Sequence, residues 1–173
     1  MRILSGKYKN RKLKSISGQN VRPTSSSVRK SIFQILEPFE NKRILDLFAG
    51  IGSLGIESLS RGAEEVTFVE KDRKVIDCLS YNLRSLCDDN QYNLINMPVE
   101  RYLEGCSEKY DLVFADPPYN SFSFEELKLK VSKLLEYNGI FCMERRFEKT
   151  DYKDVRIKKY GKTQVLIWEK TKK

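Results

Sequence analysis

The chain has 173 residues, 40% of them hydrophobic and 32% charged, with a formal net charge of +8. That length builds one domain with a sizeable core; no apolar run approaches the ~18 residues of a membrane span and no apolar signal core opens the chain, so a cytoplasmic protein with no membrane partner is expected. With no histidine, and with Cys78, Cys87, Cys106 and Cys142 forming no C-x-x-C pair, histidine triads, histidine bases, a metal site and a disulfide framework are set aside, and reduced thiols are expected.

The first elements carry the charge. Residues 1–43 hold 11 Lys and Arg against Glu37 and Glu40, whereas residues 44–173 hold 21 basic and 22 acidic residues. A basic arm on a neutral body points to a polyanion partner, the alternative being a solubilising tail. In residues 1–22, Ile3, Leu4, Leu13, Ile16 and Val21 alternate with Lys, Arg, Gly and Asn, which predicts short strands joined by turns. These residues are read as a basic hairpin extension and 23–173 as the main domain. Arg2, Lys7, Lys9, Arg11, Lys12 and Lys14 crowd that hairpin, and phosphates neutralise such crowding. Tyr8 is the sole aromatic there, so stacking on bases is the weaker inference.

After Pro23, Thr24 to Ser27 offer helix caps, and Val28, Ile32, Ile35 and Leu36 recur at helical spacing. A helix is predicted over Ser26–Glu37, ended by Pro38, with Arg29 and Lys30 on its exposed face extending the basic patch. The stretch Arg43–Leu59 then reads as a buried strand (Ile44, Leu45, Leu47, Phe48), a glycine turn and a helix. Gly50, Gly52 and Gly55 complete a G-x-G-x-x-G, which lets backbone approach a ligand and aims helical N–H groups at it. Glu70 follows a second strand, Glu65–Val69, at the distance expected of an acid that holds a ribose diol. The pocket therefore takes a nucleoside cofactor. A nicotinamide dinucleotide explains the glycines. S-adenosylmethionine also explains Asp46, because a carboxylate suits a cationic cofactor and would repel a pyrophosphate. A ligand-free turn is the plain alternative.

Downstream, Asp72 caps a helix over Arg73–Leu86, and Tyr92–Ile95 is a third strand. A short helix at Val99–Leu103, a fourth strand at Tyr110–Ala115, a helix at Ser123–Leu135 and a fifth strand at Ile140–Met143 follow. Asp154–Lys158 and Thr163–Trp168 pair around Tyr160-Gly161. The alternation predicts an α/β fold with a mostly parallel sheet and a terminal antiparallel pair.

Asp116-Pro117-Pro118-Tyr119 closes the fourth strand. Asp46, Glu70 and Asp116 all end strands, where open α/β sheets bind ligands. The prolines remove two N–H donors and leave carbonyls; a carboxylate plus a carbonyl accepts both hydrogens of an exocyclic amine, and Tyr119 stacks on the base that carries it. D-P-P is also ordinary turn chemistry, so the motif gains its meaning from following the glycine turn and Glu70.

The combination resembles the class I S-adenosylmethionine-dependent methyltransferases that act on amino groups. The opening Arg2-Ile3-Leu4-Ser5-Gly6, Arg11-Lys12-Leu13, Arg22-Pro23-Thr24, Asp46-Leu47-Phe48-Ala49-Gly50, Leu59-Ser60-Arg61-Gly62-Ala63, Phe68-Val69-Glu70 and Tyr160-Gly161-Lys162-Thr163 look like the bacterial 16S rRNA guanine-N2 methyltransferases of the RsmD type. The resemblance implies a Rossmann-like fold: a seven-stranded sheet plus the N-terminal hairpin. It implies S-adenosylmethionine as cofactor and 16S rRNA in the small ribosomal subunit as partner; a monomer is the default. It assigns catalysis to Asp116, Pro117, Pro118 and Tyr119. Cofactor contacts go to Asp46, Phe48, Ala49, Gly50, Gly52, Glu70, Lys71, Met97 and Val99. RNA contacts go to Arg2, Lys7, Arg11, Lys12, Lys14, Arg22, Thr24 and Arg29. Two departures stand out. Ser26 and Ser27 replace a charged pair, and Asn96-Met97-Pro98-Val99 lacks the acid expected near the adenine, leaving backbone groups with Met97 or Val99 to hold it.

Three rivals share parts of the pattern. A DNA adenine-N6 methyltransferase shares the catalytic motif, but it commonly carries a target-recognition domain for which 173 residues leave no room. A nicotinamide oxidoreductase leaves Asp46 and Asp116-Pro117-Pro118-Tyr119 unexplained. A non-catalytic RNA-binding module needs no intact cofactor pocket.

Overall fold

The structure, a computed structural model, describes residues 1–16, 26–118 and 121–172. Its centre is strand β1 (Arg43–Leu47), whose Ile44, Leu45, Asp46 and Leu47 are all buried because helices cover both faces of the sheet. Around it lie β2 (Glu65–Val69), β3 (Tyr92–Ile95), β4 (Tyr110–Ala115), β5 (Leu135–Arg146), β6 (Val155–Tyr160) and β7 (Thr163–Glu169). Among the described residues these form one seven-stranded sheet of order β3-β2-β1-β4-β5-β7-β6. β3 to β5 pair in parallel, and β7 runs antiparallel to both β5 and β6. This is the expected α/β fold with its antiparallel C-terminal pair. The strand order reverses beside β1, so the carboxyl ends of β1 and β4 flank the crevice where such sheets bind ligands.

Helices α1 (Ser26–Leu36), α2 (Ser53–Ser60) and α3 (Arg73–Arg84) cover one face; α4 (Val99–Gly105) and α5 (Phe124–Val131) cover the other. Asp72 caps α3 by accepting from the amides of Lys74 and Val75 at 2.8 and 3.2 Å. Ser123 caps α5 through the Glu126 amide, with Glu125 and Glu126 in the first turn and Lys128 and Lys130 in the last. That helix stops at Val131, short of the predicted Leu135, because the Leu134 carbonyl accepts from Tyr110 N and Leu135 pairs with Tyr110 in the sheet. A register shift then sets Ile140 opposite Leu112. β5 outruns its predicted end at Met143: Glu144, Arg145 and Arg146 interrupt the apolar pattern, yet pair with Val165, Gln164 and Thr163 of β7.

The N-terminal arm folds back on itself through the Arg2–Lys12 bridge, with Ile3 N donating to Arg11 O and Leu13 N to Met1 O. Ile3, Tyr8 and Leu13 are buried in the same cluster as α1, α2 and the sheet. Glu57 of α2, fully buried, accepts from Leu4 N at 2.7 Å and Ser5 N at 3.0 Å, and its charge is met by Arg61 Nε at 2.9 Å. Gly6 (φ 80°) passes so close to α2 that a Cβ there would sit 1.7 Å from Ser60 O.

Candidate active site

The carboxyl ends of β2, β1, β4 and β5 open into a cavity of about 730 Å³, within the range of small-molecule sites. Asp46, Glu70 and Asp116, expected to gather along one edge, all line it. Parallel strands lift successive C-terminal side chains to one rim at spacings of ~4.8 Å, so residues far apart in the chain meet there.

Asp46 lies on β1. The residue is 2% exposed, and its carboxylate accepts from the Gly55 amide at 2.9 Å. Burial pushes its pKa up to about 8; the Gly55 hydrogen bond opposes this, while the charges of Asp116 and Glu70 add to it. A buried carboxylate beside two further acidic groups suits a cationic ligand. Glu70 is gripped by backbone: its Oε2 accepts from Gly50 N at 3.1 Å and its Oε1 from Asp72 N at 2.9 Å. This ties the glycine turn to the end of β2 and fixes the carboxylate at the cavity wall.

Phe48, Ala49 and Gly50 line the cavity, as do Lys71 and Val99. Phe48 adopts a φ of 58°, an uncommon conformation for a bulky residue, and its ring packs on Phe122 with centroids 5.2 Å apart. Gly52 and Met97, expected at the cofactor, are not among the lining residues. Gly52 (φ 86°) instead admits close core packing: a Cβ there would meet Leu79 Cδ1 at 2.4 Å. Met97 packs against the cluster on the α4 and α5 face. On that side, the carboxylate-bearing Glu100 joins Val99 in the lining.

Pro117 is buried and Pro118 exposed. The Pro118 carbonyl accepts from Ser121 N at 3.2 Å and Ser121 Oγ at 2.5 Å, which pins the loop after β4. Tyr119 lies outside the described residues, as do Arg22 and Thr24.

Arg2, Lys7, Arg11, Lys12 and Lys14 are exposed on the arm. Lys7 is 3.5 Å from Asp88, and Lys14 Nζ lies 4.5 Å from the centre of the Tyr81 ring. Tyr8 is buried, so its ring is not offered to bases. The exposed position expected for Arg29 is wrong: it is 1% exposed, its Nη2 donates to Arg2 O at 3.0 Å, and burial lowers its pKa against the pull of Glu57. Arg29 falls at helical spacing with Ile32, Phe33 and Leu36, and the arm closes over that face of α1.

Several residues here were not assigned to the site from the sequence. Met1, Ser15 and Ile16 bring the arm to the cavity, which Tyr160, Thr163 and Glu144 also line. Tyr160 and Ser31 join through their hydroxyls. Asn82 of α3 bonds both the N–H and the carbonyl of Lys14, at 2.8 and 3.1 Å, and donates to Ile51 O of the glycine turn at 3.1 Å. It thereby joins the arm to the turn. Asn96 donates to the carbonyls of Glu70 and Lys71 at 2.9 and 3.0 Å. Glu144 was legible in principle, since it ends the predicted fifth strand as Glu70 and Asp116 end theirs.

Residues 1–169 match the family model described as conserved hypothetical protein 95. The chain is 36% identical to Bacillus subtilis YlbH, the match covering 98% of this chain and 99% of that one. It is 38% identical to the Haemophilus influenzae ribosomal RNA small subunit methyltransferase D, over 81% of this chain and 73% of the relative. The solved structure of Escherichia coli yhhF superposes with a TM-score of 0.88 at 29% identity, covering 100% of this chain and 99% of the other.

Proposed function

Given that the chain belongs to the conserved hypothetical protein 95 family, which includes the ribosomal RNA small subunit methyltransferases D, we propose that it methylates the exocyclic N2 amine of one guanine in 16S rRNA. It is an S-adenosylmethionine-dependent methyltransferase. The small ribosomal subunit as substrate, a cytoplasmic location and action as a monomer belong to the same reading. The observation that carries it is one cavity holding the carboxylates of Asp46, Glu70 and Asp116 while the basic arm forms part of its wall. RNA gripped by the arm has its base delivered to Asp116.

The residues fit the cofactor. Asp46, short of positive charge among acidic neighbours, suits its cationic end; Glu70, locked by Gly50 N and Asp72 N, suits the ribose diol; Phe48 and Val99 offer apolar walls to the adenine. When bound, the cofactor supplies an electrophilic methyl group on a sulfonium. The protein's own work is positional. Asp116 and the Pro117 carbonyl accept the two amine hydrogens and favour a more tetrahedral nitrogen, whose lone pair is otherwise delocalised into the ring. The Pro118 carbonyl is already engaged by Ser121, which leaves that role to Pro117. Asp116 positions and stabilises first, then takes the proton released after transfer. Tyr119 stacks on the base extruded from its helix, and Arg2, Lys7, Arg11, Lys12 and Lys14 hold phosphates, with Arg22 and Thr24 beside them in sequence.

The test is transfer of a labelled methyl group to small ribosomal subunits from cells lacking this protein, followed by nucleoside analysis. N2-methylguanosine at one site is the expected product. Label in DNA adenine instead, or no transfer despite cofactor binding, overturns the substrate assignment.

A further inference from the structure

Asp116 and the Pro117 carbonyl recognise an amine, and an amine is common to guanine, adenine and cytosine. Something else in the cavity must read which base carries it. The acidic groups along the rim follow the strand order: Glu70 after β2, Asp46 on β1, Asp116 after β4, Glu144 on β5. Glu70 and Asp46 occupy the cofactor half. Glu144 lies one strand beyond Asp116 in the opposite direction, because Ala115 pairs with Met143 and the next residues of the two strands are Asp116 and Glu144. Glu144 lines the cavity together with Tyr160 and Thr163.

We infer that Glu144 is the residue that selects guanine, accepting the N1–H of the target base while Asp116 holds the adjacent amine. This rests on the proposed amine methylation at Asp116. An ionised carboxylate is an acceptor only. Guanine presents N1–H beside its 2-amino group, so both acidic residues find donors along one edge. Adenine presents a bare N1 lone pair beside its amine, and a carboxylate there meets a second acceptor. A site built to receive a particular N–H discriminates strongly against analogues that set a lone pair in its place.

The experiment compares wild type with Glu144→Gln and Glu144→Ala on RNA carrying either guanine or 2-aminopurine at the target position. 2-Aminopurine keeps the amine and replaces N1–H by a lone pair. Wild type is expected to prefer guanine, and Glu144→Gln, whose amide can donate to that lone pair, to lower the guanine to 2-aminopurine ratio of kcat/KM by about 10- to 100-fold. Glu144→Ala should lower guanine activity, with cofactor affinity held within about threefold. Loss of activity on both bases in equal proportion in both variants overturns selection by Glu144. An unchanged ratio in Glu144→Gln does the same. Wild type that methylates neither base while binding cofactor removes the amine methylation reading itself, and the inference with it.

Discussion

At Asp46 a single buried carboxylate couples folding to pH and, in the proposed reading, to the cofactor. An acid whose folded pKa lies above its unfolded value of ~3.9 binds extra protons in the native state. Its contribution therefore carries no penalty below pH ~4, and stability declines as pH rises from there to about 8, the folded value. A cationic ligand favours the ionised form, so binding releases a proton below pH 8. Cofactor affinity should rise by up to about tenfold per pH unit towards that value, as calorimetry in buffers of different ionisation enthalpy would record, and Asp46→Asn should remove the slope. A flat profile in the wild type would contradict an Asp46 contact to a cation. The role proposed for Asp116 predicts a different outcome. Asp116→Ala should lower methyl transfer by at least about 10²-fold, with the cofactor Kd within about threefold, because that proposed role is on the amine and not on the cofactor. A mutant that transfers methyl at the normal rate removes the role assigned to it.

At the scale of elements, side chains of α2 and α3 hold the arm. Glu57 takes two arm amides, Ser60 Oγ accepts from Tyr8 N and donates to Ser5 O, and Asn82 takes Lys14. Glu57→Ala leaves Leu4 N and Ser5 N without their acceptor and Arg61 without a buried partner, a loss of about 2–4 kcal/mol. Hydrogen exchange should show the arm amides opening first. Asn82→Ala should weaken both RNA binding and cofactor binding, because the same side chain braces Lys14 and Ile51; a change confined to one of the two would show the elements to be independent. Replacing Lys7, Arg11 and Lys12 together with Ala should weaken RNA binding and flatten its dependence on salt by about two units of slope. Lys7, already beside Asp88, should contribute least. An unchanged slope would remove the arm as the RNA grip.

On the scale of the whole molecule, the N-terminal arm and the strand ends share one cavity, and the arm packs into the same core as the helices on that face. Met1, Ser15 and Ile16 reach the rim from the arm, while Ile3 and Leu13 are packed with the helices beneath it. A cofactor at 100 times its Kd stabilises the fold by about 2.7 kcal/mol. For a chain of this size that should raise Tm by about 5–10 °C, and Asp116→Ala should retain the shift. No helix among the described residues is long and apolar enough to cross a membrane.

The order of strands and helices, the glycine turn and the acids at strand ends were all present in the sequence, because each depends on neighbours within a few positions. Asp46, Glu70 and Asp116 could be grouped on one edge before any coordinates, since parallel strands in an open sheet carry their carboxyl ends to the same side. What tertiary structure alone decided was which face of a segment is covered. Arg29 looked exposed by charge and is buried, because the arm lies across α1. Gly52 looked like a ligand contact and packs on Leu79. Glu144, just past the apolar run of the fifth strand, is part of the cavity wall, because pairing with β7 extends β5 past that stretch. Local pattern sets period and boundaries; burial is set by whatever the rest of the chain places on top.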